Sequence, residues 1–87
     1  MVTIEKRVWP EYFEQILSGD KHFELRLANF DCQPGDILSL KEWDPQTQQY
    51  TGRSITKEAG FIFKTKDAHF WSQEEIDKYG FQIISFK

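Results

Sequence analysis

The stretch Gly19-Asp20-Lys21-His22-Phe23-Glu24-Leu25-Arg26 stands where an amphipathic helix ends and the sequence begins to alternate. Lys21, Glu24 and Arg26 crowd ionisable groups of both signs against the apolar Phe23, Leu25 and Leu27. Strand side chains alternate between faces. Phe23, Leu25 and Leu27 are therefore expected in a core, with His22, Glu24 and Arg26 on the opposite face. A carboxylate beside a guanidinium can read a planar polar ligand such as a nucleobase edge. The same residues can also be structural: Lys21 complementing the negative end of the preceding helix, and Glu24 with Arg26 a surface ion pair worth under about 1 kcal/mol.

On the N-terminal side, Val2 to Val8 alternates well enough for a strand. Pro10 suits a first helical position. Trp9, Tyr12, Phe13, Ile16 and Leu17 then recur at helical spacing, and Gly19 suits the left-handed residue that closes a helix. On the C-terminal side, Lys21 to Ala28 is expected as the second strand. Gln33-Pro34-Gly35-Asp36 has Pro and Gly at the centre of a type II turn. Ile37 to Trp43 and Tyr50 to Lys57 flank the polar loop Asp44 to Gln49 as a hairpin. Ala59 to Lys66 reads as another strand. Ser72-Gln73-Glu74-Glu75 forms a capping box for a short helix ending at Gly80, and Phe81 to Phe86 closes the chain as a strand. The order β-α-β-β-β-β-α-β with short connections predicts a small, largely antiparallel barrel of five or six strands flanked by two short helices.

With 87 residues, the chain is expected to be one domain, 1–87. Eight Phe, three Trp and three Tyr supply large apolar area per residue for a small core. The single Cys32 rules out an internal disulfide framework, and one Cys with two distant His cannot build a metal site. No cofactor is expected. Residues 1–10 carry no apolar run like a signal peptide and nothing approaches a membrane span, so a reducing cytoplasm is the expected compartment. The net charge of −3 argues against holding a duplex chiefly through phosphate neutralisation. The acidity is uneven: residues 1–66 hold nine Lys and Arg against ten Asp and Glu, whereas residues 67–87 hold two against four. A local basic cleft in the first two thirds is compatible with that distribution.

Gly19-x-Lys21-x-x-Glu24-x-Arg26 reproduces the G-x-K-x-x-E-x-R signature of the ASCH domains, a branch of the PUA-like barrel superfamily. The resemblance extends through Pro10 to Glu14, Pro34 to Leu38, Glu42 to Pro45 and Tyr50 to Ile55, which look like a small ASCH-related family common in bacteria and phages and without an assigned activity. It implies an α+β fold, a mixed PUA-like β-barrel, with a cleft beside the junction of the first helix and second strand. In ASCH domains that cleft is thought to take RNA or a nucleotide-like ligand. Carried over, the resemblance implies Gly19, Lys21, Glu24 and Arg26 as ligand-binding residues, with Arg53 a possible second cationic contact beside the polar loop.

The chemistry of these residues suits single-stranded RNA or a nucleotide. Lys21 and Arg26 can hold a phosphate or a base acceptor, and Glu24 can accept from an exocyclic amine. Trp9 and Trp43 can stack on an unpaired base, or pack in the core or at a barrel end. Arg53 can equally be a solvated strand residue. One ASCH-like branch, the acetylcytidine amidohydrolases, uses a Thr nucleophile activated by a Lys. Lys21 matches that Lys, but Glu24 stands in the Thr position. A hydrolase of modified nucleosides is thus the alternative, and a protein-interaction module a third; no catalytic residue is assigned. Cys32 beside His22 or His69 could form a nucleophile pair, against the simpler reading of a free structural thiol. Lys64, Lys66, His69 and Trp71 make either a basic-aromatic edge or a solvated strand end.

Overall fold

The fold was obtained as a computed structural model, which describes residues 1–86. Strand β1 (Thr3–Val8) leads into helix α1 (Pro10–Ser18), and a long irregular stretch returns the chain to β2 (Ile37–Asp44) and β3 (Gln49–Glu58). A 3-10 turn at Thr65–Asp67 and helix α2 (Gln73–Tyr79) follow. The three strands form one mixed sheet in the order β1-β2-β3. Central β2 pairs parallel with β1, Thr3 opposite Ile37 through Val8 opposite Glu42, and antiparallel with β3.

Local chemistry accounts for these elements. Trp9, extended at φ −66° and ψ 151°, precedes Pro10 at the first helical position, where the missing N–H costs nothing. Gly19 closes α1 at φ 85°, a left-handed backbone that a side chain disfavours, and its N–H returns to the Ile16 carbonyl. Gly35, at φ 95°, sits third in the turn closed by the bond from Asp36 N–H to the Gln33 carbonyl. The Asp36 carboxylate then accepts from the N–H groups of Gln33 (2.8 Å) and Val2 (3.0 Å), tying the turn to the start of β1. In α2 both halves of the Ser72/Glu75 capping box are present.

The core lies between α1 and one face of the sheet. Phe13 and Ile16 share a helix face one turn apart and bury against Val8 and Leu40, with Leu38 and Ile55 packed around them. Alternation sends the neighbours to the opposite face, which carries Arg7, Lys41, Trp43 and Tyr50. Between Lys41 and Trp43 the β2–β3 register slips: Lys41 faces Ser54 but Trp43 faces Tyr50. The extra residues belong to β3 and include Gly52 at φ 96°, a β-bulge of the kind glycine permits.

The expected closed barrel is not formed. The sheet is open and three-stranded, because the three remaining alternating segments build no ladder. In 21–28 side chains bind the backbone groups that a neighbouring strand would take. Ser85 Oγ accepts from His22 N–H at 2.7 Å, Lys21 Nζ donates to the Phe23 carbonyl at 2.7 Å, and Arg26 bonds outward to the Arg7 carbonyl. The expected core face of that segment is also absent, with Leu25 and Leu27 largely exposed. Residues 59–64 and 81–86 are irregular as well. Phe61 and Phe63 keep the side-by-side placement of i and i+2 residues in an extended chain, stacking at 6.4 Å, but Phe61 is 90% exposed. Among the described residues no helix is long and apolar enough to cross a membrane.

Candidate functional site

A cleft of about 730 Å³ runs along α1 from Trp9 to Gln15, between the close of β1, the 21–26 segment and the C-terminal stretch. Its position follows from the Gly19 cap: Lys21 N–H donates to the Gln15 carbonyl at 2.9 Å, so the chain leaves the helix with Lys21 held at its negative end. Lys21 Nζ then reaches Glu24 Oε1 at 2.8 Å, while Arg26 Nε binds Glu24 Oε2 at 2.9 Å. Both carboxylate oxygens are thereby fixed, and the Lys21 and Glu24 side chains are each only 14% exposed. Each oxygen retains a second lone pair, and the two cations retain further N–H donors. Trp9 and Tyr12, both about half exposed, line the same cleft, as do Phe23 and Phe81.

Lys21, Glu24 and Arg26 thus line one cleft, while Gly19, the other residue of the signature, closes the helix just before them and does not line it. Trp9 joins them. Trp43 does not line this cleft: it lies on the other face of the sheet, half-buried, with the Arg7 guanidinium carbon 4.7 Å from its ring centroid. Arg53 is elsewhere too. Its Nε and Nη2 grip Glu42 at 2.8 and 2.7 Å, Nη2 also meets Glu14, and the guanidinium sits over the Phe13 ring. Glu42 is buried at 3% exposure and accepts a further bond from Thr51 Oγ1. These bonds, those of Arg53 foremost, lower its pKa to about 2 and keep it ionised inside the fold. Thr51 and Arg53, two residues apart in β3 and so on one face, both reach Glu42 where the strand is bulged, and Arg53 acts there as the counter-ion of a buried carboxylate.

Arg7 is the functional candidate that sequence reasoning passed over. Its Nε donates to Tyr50 Oη at 3.3 Å, and its guanidinium lies over both the Trp43 and Tyr50 rings. Among the described residues no carboxylate lies within ion-pair distance of it. The available signal was alternation in β1, which puts Arg7 opposite Lys41 and beside the cross-strand pair Trp43 and Tyr50. The cleft therefore has three cationic lining residues, Arg7, Lys21 and Arg26, of which Lys21 and Arg26 grip the Glu24 carboxylate, in a chain of net charge −3. Cys32 offers little as a nucleophile: burial and the nearby Asp36 and Asp31 carboxylates push its thiol up. Among the described residues no cluster of His, Cys, Asp and Glu could hold a metal ion.

Fold and cleft together define a small open-sheet α+β domain with a cationic, aromatic-walled groove along its first helix. The chain belongs to the DUF3850 family (domain of unknown function), whose model matches residues 4–76. The match takes in β1, α1, the 21–26 segment and the β2–β3 hairpin, and stops short of the Phe81 and Ile83 wall of the cleft. Comparison with curated proteins and with solved structures returns no match.

Proposed function

We propose that the protein binds a nucleotide or a single strand of RNA in the cleft along α1. The observation that carries this reading is the Lys21–Glu24–Arg26 network lining a groove whose walls are exposed aromatic rings. A fixed carboxylate with open lone pairs suits an exocyclic amine, the flanking cations suit acceptor atoms or phosphate, and Trp9 and Tyr12 suit the face of a base. The resemblance of Gly19 to Arg26 to the ASCH signature supports the same reading. A groove with a local excess of positive charge on an acidic protein favours an anionic ligand of limited length over a long duplex. Cytoplasmic residence fits both the ligand and the lone thiol.

Amide hydrolysis has less support. Glu24 has each oxygen engaged by a cation, as in a positioning carboxylate, and it occupies the place of the expected nucleophile. The test is a chemical-shift titration of isotope-labelled protein with cytidine, uridine, adenosine and guanosine 5′-monophosphates, repeated with Glu24→Gln and Arg26→Ala. Saturable shifts across residues 19–26 and at the Trp9 indole, weakened at least about tenfold in the variants, are expected. No shifts at millimolar nucleotide, or shifts indifferent to both substitutions, would overturn the proposal.

A further inference from the structure

We infer that the ligand is an oligonucleotide single strand, whose phosphodiester chain crosses Arg7 and Arg26 from the first cleft into a second one on the open face of the sheet. This rests on the reading of the first cleft as a nucleotide site. The second cleft, of about 350 Å³, is lined by Glu5, Lys6, Arg7, Arg26, Lys41 and Tyr50. Both volumes fall within the roughly 300–1,000 Å³ of ligand-sized pockets. Arg7 and Arg26 line both clefts, so these two residues form the boundary between them.

Charge selects the occupant. Four cationic residues line the second cleft against Glu5, whose carboxylate is already met by Lys41 Nζ at 3.0 Å. The cationic excess at this boundary is held in place rather than diffuse. Arg26 is pinned through Glu24 and the Arg7 carbonyl, and Arg7 through the Trp43 and Tyr50 rings. A guanidinium so oriented and without a carboxylate partner among the described residues is a phosphate contact ready made. Beyond it, Tyr50 is half exposed and gives a second base a ring to lie against. A mononucleotide would satisfy only one side of this boundary. A duplex would keep its base faces stacked and unavailable.

The test compares uridine 5′-monophosphate with the dinucleotide pUpU and with hexauridylate and its deoxy counterpart, using calorimetry on the full chain. The dinucleotide is expected to bind about tenfold more tightly than the mononucleotide. Lys41→Gln, outside the first cleft, should remove most of that gain and leave mononucleotide affinity unchanged. Lys41→Arg should restore it, and thermal unfolding should show all variants folded. The slope of log affinity against log salt for the hexamer should fall by about 0.7 in Lys41→Gln, as for one lost single-strand phosphate contact. Equal hexamer affinities for RNA and DNA support readout of the phosphate chain alone; an RNA preference supports it with an added 2′-hydroxyl contact. Mononucleotide binding that the dinucleotide does not improve overturns this inference alone. Binding of neither overturns the nucleotide reading of the first cleft as well.

Discussion

Glu42 and Glu24 are both carboxylates gripped by cations, yet they do different work. Glu42 is closed inside the fold by Arg53 and Thr51, whereas Glu24 borders the cleft. The folded-state pKa of Glu42 is depressed to about 2 from an ordinary value near 4.5. The stability it contributes is present above the ordinary value and is lost as pH falls through the folded one. Asp36, lowered by the backbone bonds from Gln33 and Val2, acts in the same direction. Urea denaturation should therefore show stability falling from about pH 5 towards pH 2, with a shallower fall in Glu42→Gln, which has no such charge to lose. An unchanged pH profile in that variant would contradict the assignment. For Arg7 the expected outcome concerns the ligand: Arg7→Ala weakens mononucleotide binding at least about tenfold and Arg7→Lys only partly restores it, because an ammonium lacks the forked donors of the guanidinium that sits over the Trp43 and Tyr50 rings.

At the scale of elements, Gly19 carries both the helix stop and the placement of Lys21. A methyl group added at this position would meet nothing within 4 Å, so the cost of Gly19→Ala is the left-handed backbone alone, about 1 kcal/mol. Gly19→Asn should cost less, and a fluorescence-monitored urea melt separates the two. Leu40, 1% exposed on the central strand, packs beneath α1. Leu40→Ala should destabilise by about 2–5 kcal/mol, a large share of the stability of so small a domain.

The same elements set the limit of what was legible in the sequence. Pro10 with Gly19, the Pro34-Gly35 turn, the Ser72/Glu75 box and the β2–β3 hairpin each rest on local chemistry, and each formed as expected. The segments 21–28, 59–66 and 81–86 share the alternation of strands, but alternation says nothing about whether a neighbour exists to pair with. Gly52 inside a strand pattern was the visible sign of the bulge. That Arg53 would meet Glu42 depends on the register between β2 and β3, which single-residue patterns do not carry. The 19–26 cluster was legible because its members are close in sequence; Arg7 was not, because its partners Trp43 and Tyr50 meet it only through the sheet.

For the whole molecule, packing is concentrated on one side. The radius of gyration is 14.7 Å, against about 12 Å for an ordinarily compact chain of this length. The row Phe61, Phe63, Phe70, Trp71 and Phe81 runs ring to ring across the surface, at 5.4–6.4 Å between successive centroids. Cooperative protection should follow the ladder. In native-state hydrogen exchange the slowest amides are expected in β2 and its partners β1 and β3, with 60–64 and 81–86 exchanging near the rate of an open chain. Equal protection across the chain would mean that further strands pair in solution.

The nucleotide-binding claim meets its most direct test in isotope-filtered NOEs between the protein and bound hexauridylate. The account predicts contacts from the Trp9 and Tyr12 ring protons to uracil H5 and H6, and from the Tyr50 ring to a neighbouring nucleotide. Contacts confined to Phe61, Phe63, Phe70 and Trp71 would place the nucleic acid on the exposed aromatic row and contradict it.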